Sequence, residues 1–343
     1  MGDPYKDDTG FQLLRLMVRP ILGHKRSFRN DLGRIVQTIT TTGLAADAEI
    51  RNAIRKGIPA EQWRLFLRAI LNVLHPYDAI HVLTEARLIR PLEGIDEQLF
   101  IHTESRTSNM RIQAALKEPW TYNWIKTALR PGEVLYDIGA NVGSYSLIAL
   151  ERGIRVVAFE AHYENFRELC RNVQLNNLGA KATLLPLALS DLWGATRNPI
   201  LTASPGETMS LGVKTNGPVV ILTGPLDEAR PSLQLPDPNH IKIDVDGWEV
   251  RVLSGARQTF ASENLRTCLI EIDRRAPGPD EERTSSVVNF LVERGFEIYS
   301  IVSRMTEGVT YLFGIRGDTI EIRSSLEQRG TYLKKCDLCV RGH

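Results

Sequence analysis

The amino-acid sequence predicts an α/β fold built on a mostly parallel sheet of seven strands. From Val134 onward, short apolar runs alternate with longer helical stretches, a pattern typical of strand–helix–strand units. The first run is apolar enough to be a buried strand, and it ends in a glycine-containing turn at Gly139 and Gly143. Alternation of this kind favours parallel strands with helices on both faces of the sheet.

The elements of this core follow one another from residue 134 to residue 313. The strands are predicted at Val134–Asp137, Arg155–Glu160, Ala182–Ala188, Ile241–Asp244, Cys268–Ile272, Glu297–Val302 and near Thr310–Phe313. The helices between them are predicted at Ser144–Arg152, Tyr163–Leu175, Glu249–Phe260 and Ser285–Arg294. The segment from Asn198 to Pro231 is rich in Gly, Pro, Ser and Thr, and it includes a predicted hairpin around Val219–Leu222. This segment is the natural place for a substrate loop.

A helical subdomain is predicted ahead of the core. Pro59 begins a helix with a broad apolar face, and His75-Pro76 ends it. A basic stretch over residues 15–34 indicates either a surface for an anionic membrane or phosphorylated substrate, or a solvated helix face. Leu99–Ile101 reads as a short strand. We therefore expect an N-terminal helical subdomain over residues 1–115, a core over 116–325 and a C-terminal tail over 326–343.

Composition narrows the class of protein. The net charge of +1 gives no general attraction to nucleic acid, so no nucleic-acid partner is expected. No apolar run is long enough for a transmembrane segment. Four cysteines in 343 residues do not make a disulfide framework, which favours a cytoplasmic, reduced compartment. Cys336, Cys339 and His343 lack a second cysteine pair, so no metal site is predicted.

The glycine turn has the features of a cofactor site. Asp137 stands where the strand ends, Gly139 and Gly143 flank Asn141, and Ser144 begins a helix whose N–H groups face the turn. The spacing lacks the third glycine of a dinucleotide site, and an aspartate would repel a pyrophosphate. The same aspartate suits the ammonium group of S-adenosylmethionine, whose carboxylate can face the helix. An ordinary strand–helix turn is the alternative.

Acids at the ends of the next two strands extend this site. Glu160 follows the turn by about twenty residues, a position from which a carboxylate accepts both ribose hydroxyls of a nucleoside. Its alternative role is to stabilise the dipole of the following helix. Ser190 or Asp191 can accept a hydrogen bond from the adenine amino group, although a plain turn explains Asp191 nearly as well.

A second group of polar residues is predicted to be catalytic. Lys242 and Asp244 alternate with isoleucines and share one face of a strand, and Asp244 falls at its carboxyl end, where open sheets bind ligands. We interpret Asp244 as the base, with Lys242, His240 and Glu271 in support. A structural Lys242–Asp244 pair with Asp246 as a helix cap is the alternative, and Glu271 can equally be a satisfied buried partner.

These motifs together resemble the FkbM-type methyltransferases. The stretches that carry the resemblance are Asp137–Gly143, Ala158–Glu160 with Asn165, Leu175-Asn176, Leu226-Asp227, Ile241–Glu249 and Val252–Ala256. It covers roughly residues 118–313. The chain departs from the family pattern at Ala161, where proline is usual, and at Asp246, where glutamate is usual. The second departure affects a residue near the expected acceptor.

The resemblance implies a Rossmann-like class I methyltransferase core that uses S-adenosylmethionine. It implies O-methylation of a hydroxyl on a sugar, glycan or secondary metabolite, so the expected partner is a small-molecule or carbohydrate acceptor. Two alternatives are a binding module without catalysis and a nicotinamide-dependent oxidoreductase or epimerase. The sequence does not decide the oligomeric state, and a homodimer is compatible with it.

Overall fold

A computed structural model describes residues 89–103, 110–198, 219–273, 280–302, 309–317 and 332–335 of the chain. Its strands are β1 (Ile89–Pro91), β2 (Phe100–His102), β3 (Val134–Ile138), β4 (Arg155–Phe159), β5 (Ala182–Leu185), β6 (Ala188–Leu189), β7 (Gly194–Asn198), β8 (Val219–Gly224), β9 (His240–Ile243), β10 (Thr267–Asp273), β11 (Glu297–Val302), β12 (Val309–Ile315) and β13 (Tyr332–Lys335). Its α-helices are α1 (Ala114–Lys117), α2 (Pro119–Ala128), α3 (Ser144–Glu151), α4 (Tyr163–Leu175), α5 (Leu226–Ser232), α6 (Glu249–Ser254), α7 (Arg257–Ala261) and α8 (Asp280–Val292).

The main sheet has eight strands in the order β5-β4-β3-β9-β10-β12-β11-β13. The five strands from β5 to β10 in this order are parallel, whereas β12 runs antiparallel to both β10 and β11. The predicted α/β class with a mostly parallel sheet is therefore confirmed. An eighth strand, β13, pairs with β11 and comes from the segment predicted as the tail. The strand order reverses between β3 and β9, so the carboxyl ends of these two strands form the switch point where such sheets bind ligands.

Apolar layers cover both faces of the sheet. On β3 the side chains alternate, so that Leu135 belongs to one buried cluster and Tyr136 to the other. The first cluster includes Trp124 from α2 and residues of α3, and the second includes Phe260 from α7 and residues of α8. Each of these four named side chains is essentially inaccessible to solvent. Burial on both faces explains why the strand sequences read as nearly continuous apolar runs.

Two predicted elements are broken in the structure. The strand expected over residues 182–188 ends at Leu185, because Pro186 has no N–H group to continue the ladder. The chain then enters a second sheet of order β6-β8-β7. Strand β8 contains the Val219–Leu222 stretch of the predicted hairpin, but it pairs antiparallel with β7, which lies almost wholly before the segment in which the hairpin was predicted. The helix expected over residues 249–260 divides into α6 and α7 at Gly255, where a Cβ atom would come within 1.9 Å of the Ser190 carbonyl oxygen.

Strand β2 packs on the core as well. Leu99 and Ile101 belong to the same buried cluster as Leu135. The backbone N–H of Phe100 donates to Asn176 Oδ1 (3.0 Å), and Asn176 Nδ2 donates back to the Phe100 carbonyl (2.7 Å), which fixes β2 to the end of α4. The predicted boundary at residue 115 stays a prediction. The predicted helices before residue 89, most of the predicted substrate loop and the two tail cysteines lie outside the described residues.

Within the described ranges, no helix has the length and apolar character needed to cross a membrane.

Candidate active site

The glycine turn connects β3 to α3 in a conformation that only small residues accept. Gly139 has φ +82°, and a Cβ atom there would come within 1.8 Å of the Asp244 carbonyl oxygen. Gly143 has φ +91°, and a Cβ atom there would meet Leu169 Cδ1 at 2.5 Å. Asn141 between them also has positive φ, +52°, and its Oδ1 accepts from the Val142 N–H (2.9 Å). The turn is therefore packed tightly between β9 and α4, and it requires glycine at both positions.

Glu160 holds this turn from the neighbouring strand. It follows β4, its side chain is buried, and its two carboxylate oxygens accept from the backbone N–H groups of His162 and Asn141, each at 2.7 Å. Burial raises the pKa of Glu160 to about 7, although these two hydrogen bonds act in the opposite direction. A carboxylate is thus positioned beside the turn, as the ribose-binding role requires.

A buried ammonium group joins β9 to β3. Lys242 Nζ donates to Asp244 Oδ2 (2.9 Å) and lies 3.8 Å from Asp137 Oδ1. Burial would lower the pKa of Lys242, but Asp244, Asp137 and Glu118 outweigh it and raise that pKa above its usual value. Asp137 accepts from Ser146 Oγ (2.6 Å). Its Oδ1 accepts no hydrogen bond from the described residues, and burial raises the pKa of Asp137.

Three carboxyl groups meet beside this ammonium. Glu118 immediately precedes α2, Glu271 lies on β10, and Asp244 follows β9, so that three separate elements supply them. Burial, then the charges of Asp244 and Glu118, raise the pKa of Glu271 to about 9. Burial and the charge of Asp244 also raise the pKa of Glu118. Tyr145 and Tyr311 lie against the same carboxyls, and burial raises the pKa of both phenols. Sequence reasoning missed Glu118, which stands outside any strand and carries no motif.

One cavity collects most of these groups at the carboxyl edge of the sheet. The described residues of functional interest that line it are Arg111, Lys117, Glu118, Gly139, Asn141, Glu160, Leu187, Ala188, Leu189, Asp244, Asp246, Trp248 and Glu271. Asp137, Gly143 and Lys242 lie behind this wall and support it. The structure therefore brings together the glycine turn, Glu160, Asp244 and Glu271, as the sequence predicts.

Three predicted site residues lie elsewhere. Ser190 and Asp191 line a neighbouring cavity, where Ser190 Oγ donates to Asp191 Oδ1 (2.9 Å) and Asp191 pairs with Arg251 (3.4 Å). His240 begins β9 and lies at the amino end of the strand, opposite Asp244. Its ring is fully buried between Thr267 Oγ1 (2.7 Å) and Glu133 Oε2 (2.9 Å). The structure does not bring His240 to the cavity. His240 and Asp244 lie on the same face of the strand, but at opposite ends of it, and the cavity lies at the carboxyl end.

The loop after Asp244 has its own positive-φ turn. Asp246 has φ +49° and Gly247 φ +104°, and the Gly247 N–H donates to Glu249 Oε1 (2.8 Å). Glu249 is fully buried at the start of α6, and burial raises its pKa. Trp248, and not Asp246, occupies the N-cap position of α6, so the alternative of Asp246 as the helix cap does not match the observed start of the helix. Asp246 lines the cavity instead.

Among the residues that the structure describes, no group of three or more His, Cys, Asp or Glu side chains is arranged to hold a metal ion.

The sheet order, the glycine turn and the acid after β4 define the class of a Rossmann-like domain that binds a nucleoside cofactor. The family model of the methyltransferase FkbM domain matches residues 137–298. The resemblance predicted from the sequence is therefore confirmed over this segment. The match also supports S-adenosylmethionine as the cofactor.

Three relatives show how far the similarity extends. Hexuronic acid methyltransferase AglP from Haloferax volcanii is 33% identical over 143 residues, which are 41% of this chain and 56% of that protein. The chain thus spans little more than half the length of this curated relative. Methyltransferase FkbM from Methylobacillus flagellatus KT is 14% identical, with 82% of this chain and 77% of that chain covered and a TM-score of 0.39. Precorrin-6y C5,15-methyltransferase from Geobacter metallireducens GS-15 is 17% identical, with 58% and 88% covered and a TM-score of 0.35.

The residues present fit this cofactor. Gly139 and Asn141 leave backbone exposed at the cavity wall, and Glu160 supplies a carboxylate beside them. Leu187, Ala188 and Leu189 form an apolar strip along the same wall, which suits a flat base. The buried Asp137 Oδ1 accepts no hydrogen bond from the described residues, and the Lys242 ammonium lies 3.8 Å from it behind the turn.

Proposed function

We propose that this domain transfers a methyl group from S-adenosylmethionine to a hydroxyl of a sugar, with hexuronic acids as the leading acceptor class. One observation carries the proposal: the carboxyls of Glu118, Asp244 and Glu271 line the same cavity as Gly139 and Glu160. Acceptor and cofactor groups would therefore meet at one edge of the sheet. The hexuronic acid activity of the relative supports the acceptor class.

Glu160, Gly139 and Asn141 are assigned to the cofactor. The carboxylate of Glu160 would accept hydrogen bonds from the ribose hydroxyls. To do so, it would have to give up part of its hydrogen bonding to the backbone N–H groups of Asn141 and His162. The turn and the first N–H groups of α3 would hold the methionyl carboxylate. We keep Ser190 and Asp191 as proposed adenine contacts, although they line the adjoining cavity. Leu187–Leu189 line the first cavity together with the glycine turn.

Asp244 is assigned as the base. S-adenosylmethionine, when bound, supplies a methyl group on a positively charged sulfur. Lys242 is charged and donates to Asp244 Oδ2, which fixes the position of the Asp244 carboxyl group. A neutral hydroxyl is a weak nucleophile, so a carboxylate that accepts its proton during attack lowers the barrier. Orientation of the hydroxyl supplies much of the remaining acceleration.

Glu271 and Glu118 are assigned to the acceptor. With a pKa of about 9, Glu271 holds its proton at neutral pH and can donate a hydrogen bond to an acceptor oxygen. Glu118 and Tyr311 surround the same space and can bond neighbouring hydroxyls. Arg111 and Lys117 line the opening, where a carboxylate on the sugar would meet positive charge. A polyol with one acidic group matches this combination of hydrogen-bonding carboxyl groups and basic side chains.

Replacing Asp244 by Asn tests the assignment. We expect the turnover number for methyl transfer to glucuronate or galacturonate to fall about 100-fold, since the amide cannot take the hydroxyl proton, while S-adenosylmethionine still binds. Transfer is measured with radiolabelled S-adenosylmethionine, and cofactor binding by calorimetry. Asp237→Asn is the matched control, because Asp237 pairs with Arg230 on the surface and lies outside the cavity.

Unchanged turnover in Asp244→Asn would remove Asp244 from the mechanism. If the wild-type chain binds the cofactor but methylates no hydroxyl in a panel of uronates, neutral sugars and polyketide alcohols, the alternative of a binding module replaces the proposed enzyme.

A further inference from the structure

A second cavity adjoins the first, and apart from Ser190 and Asp191 its lining residues have no role in the proposed function. It encloses about 650 Å³ and is lined by the segment from Ser190 to Thr196, the start of α6 and the first half of α8. Trp248 lines both cavities, so the two spaces share a wall. Two indoles and an exposed guanidinium face this second space, from Trp193, Trp248 and Arg251.

Trp193 is exposed yet held in place. Its side chain is 53% exposed, which is unusual for a residue of this size. The ring lies directly on the backbone of Gly224, where a Cβ atom would come within 2.4 Å of Trp193 Cζ3. Its Nε1 donates to Glu228 Oε2 (2.6 Å). One face of the indole is thus fixed against the protein, and little conformational freedom would be lost on binding a flat partner.

Arg251 adds an oriented positive charge. Its guanidinium lies 4.9 Å from the centre of the Trp248 ring, a cation–π contact that orients the planar group. The side chain is 59% exposed and forms a long ion pair, 3.4 Å, with Asp191. A guanidinium held on one face and open to solvent is suited to bind a carboxylate or a phosphate through two parallel N–H groups.

Size assigns different parts of an acceptor to the two cavities. The first cavity encloses about 140 Å³ and the second about 650 Å³. The first cavity takes the sugar that is methylated, whose acidic group would meet Arg111 and Lys117 there. The second cavity offers the space for a further sugar, together with an exposed cation of its own, Arg251.

We propose that the second cavity binds the sugar next to the one methylated, and that this neighbouring sugar is anionic, stacked on Trp193 and paired with Arg251. The C–H groups of a sugar ring pack on the electron-rich face of an indole, and the anion meets the guanidinium. The proposal rests on the proposed function and deepens it: the acceptor is an anionic oligosaccharide rather than a free monosaccharide.

Binding is tested on the full chain saturated with S-adenosylhomocysteine, by calorimetry and by tryptophan fluorescence. The probes are digalacturonate, maltose 1-phosphate and maltose, which compare a carboxylate, a phosphate and a neutral disaccharide. We expect one of the anionic probes to bind at least 10-fold more tightly than maltose and to quench fluorescence. Trp193→Leu should weaken that binding at least 10-fold, and Trp193→Tyr, which keeps a ring, should largely restore it. Arg251→Met should remove the preference for the charged probe.

The controls separate this proposal from the function on which it rests. Arg257→Met removes a surface arginine of α7 that lines neither cavity, and it should bind the disaccharide as wild type does. Binding of S-adenosylhomocysteine by the wild type with no disaccharide binding would overturn the second-cavity proposal and leave the proposed function standing. The second-cavity proposal would also be overturned if neither Trp193→Leu nor Arg251→Met changed disaccharide binding. Failure to bind S-adenosylhomocysteine would instead count against the proposed function.

Discussion

Single buried carboxyls determine much of the chemistry of this site. Glu160, Glu118 and Glu271 all have raised pKa values, and burial is the largest cause for each. Burial opposes ionisation because the charged form loses its hydration. Lys242 compensates part of this charge at the switch point of the sheet. Glu271, whose pKa is about 9, therefore holds a proton at neutral pH close to the ammonium group of Lys242.

Glu160→Gln should change how stability depends on pH. The pKa of Glu160 is about 7 in the fold, against an ordinary value of 4.5. The unfolded chain therefore ionises first as the pH rises, and the folded chain loses stability until the pH passes 7. The difference is worth about 3 kcal/mol, from roughly 2.5 pKa units at about 1.36 kcal/mol each. Relative to wild type, the variant should gain up to that amount between pH 4.5 and 8 in urea unfolding.

Glu164→Gln serves as the control for this measurement. Glu164 lies four residues further on, in the first turn of α4, is partly exposed and pairs with Arg167 at the surface, so its removal should leave the wild-type pH dependence in place. Curves of unfolding free energy against pH that run parallel for Glu160→Gln and wild type would contradict the raised pKa of Glu160.

At the scale of elements, the order of strands and helices could be predicted, and their interruptions could not. Helix α4 begins and ends where the sequence predicts, because its amphipathic pattern is local. The division between α6 and α7 depends on the approach of the Ser190 backbone to Gly255, which no local pattern contains. Glu118 was missed for the same reason, since only the fold brings the start of α2 beside β9 and β10.

Gly139→Ala tests the packing of the glycine turn. Positive φ alone costs roughly 1–2 kcal/mol for a residue with a Cβ atom. At Gly139 the new atom would also overlap the Asp244 carbonyl oxygen, so we expect a loss of about 3 kcal/mol or more in the free energy of unfolding, together with loss of cofactor binding. Gly132→Ala is the matched control, because Gly132 has φ +90° and nothing lies within 4 Å of its Cβ position. Equal losses in the two variants would show that the close approach to β9 does not matter.

At the scale of the whole molecule, the topology explains where the site lies. Parallel strands place all their carboxyl ends at one edge, so Glu160 after β4 and Asp244 after β9 meet the turn after β3. This convergence followed from strand alternation and could be predicted. The position of His240 outside the cavity also follows from the strand direction, because His240 begins β9 and Asp244 follows its carboxyl end. Ser190 and Asp191 were displaced similarly, when the chain left the main sheet after Pro186.

The central claim is that this edge binds S-adenosylmethionine, and calorimetry tests it most directly. S-adenosylmethionine, S-adenosylhomocysteine, NAD and NADP are titrated into the wild type, Glu160→Ala and the control Glu164→Ala. We predict that only the two sulfur compounds bind the wild type. Glu160→Ala should weaken them by roughly 10- to 100-fold, the cost of losing hydrogen bonds to a charged group, and Glu164→Ala should not. No binding of either sulfur compound, or preferential binding of a nicotinamide dinucleotide, would contradict the account.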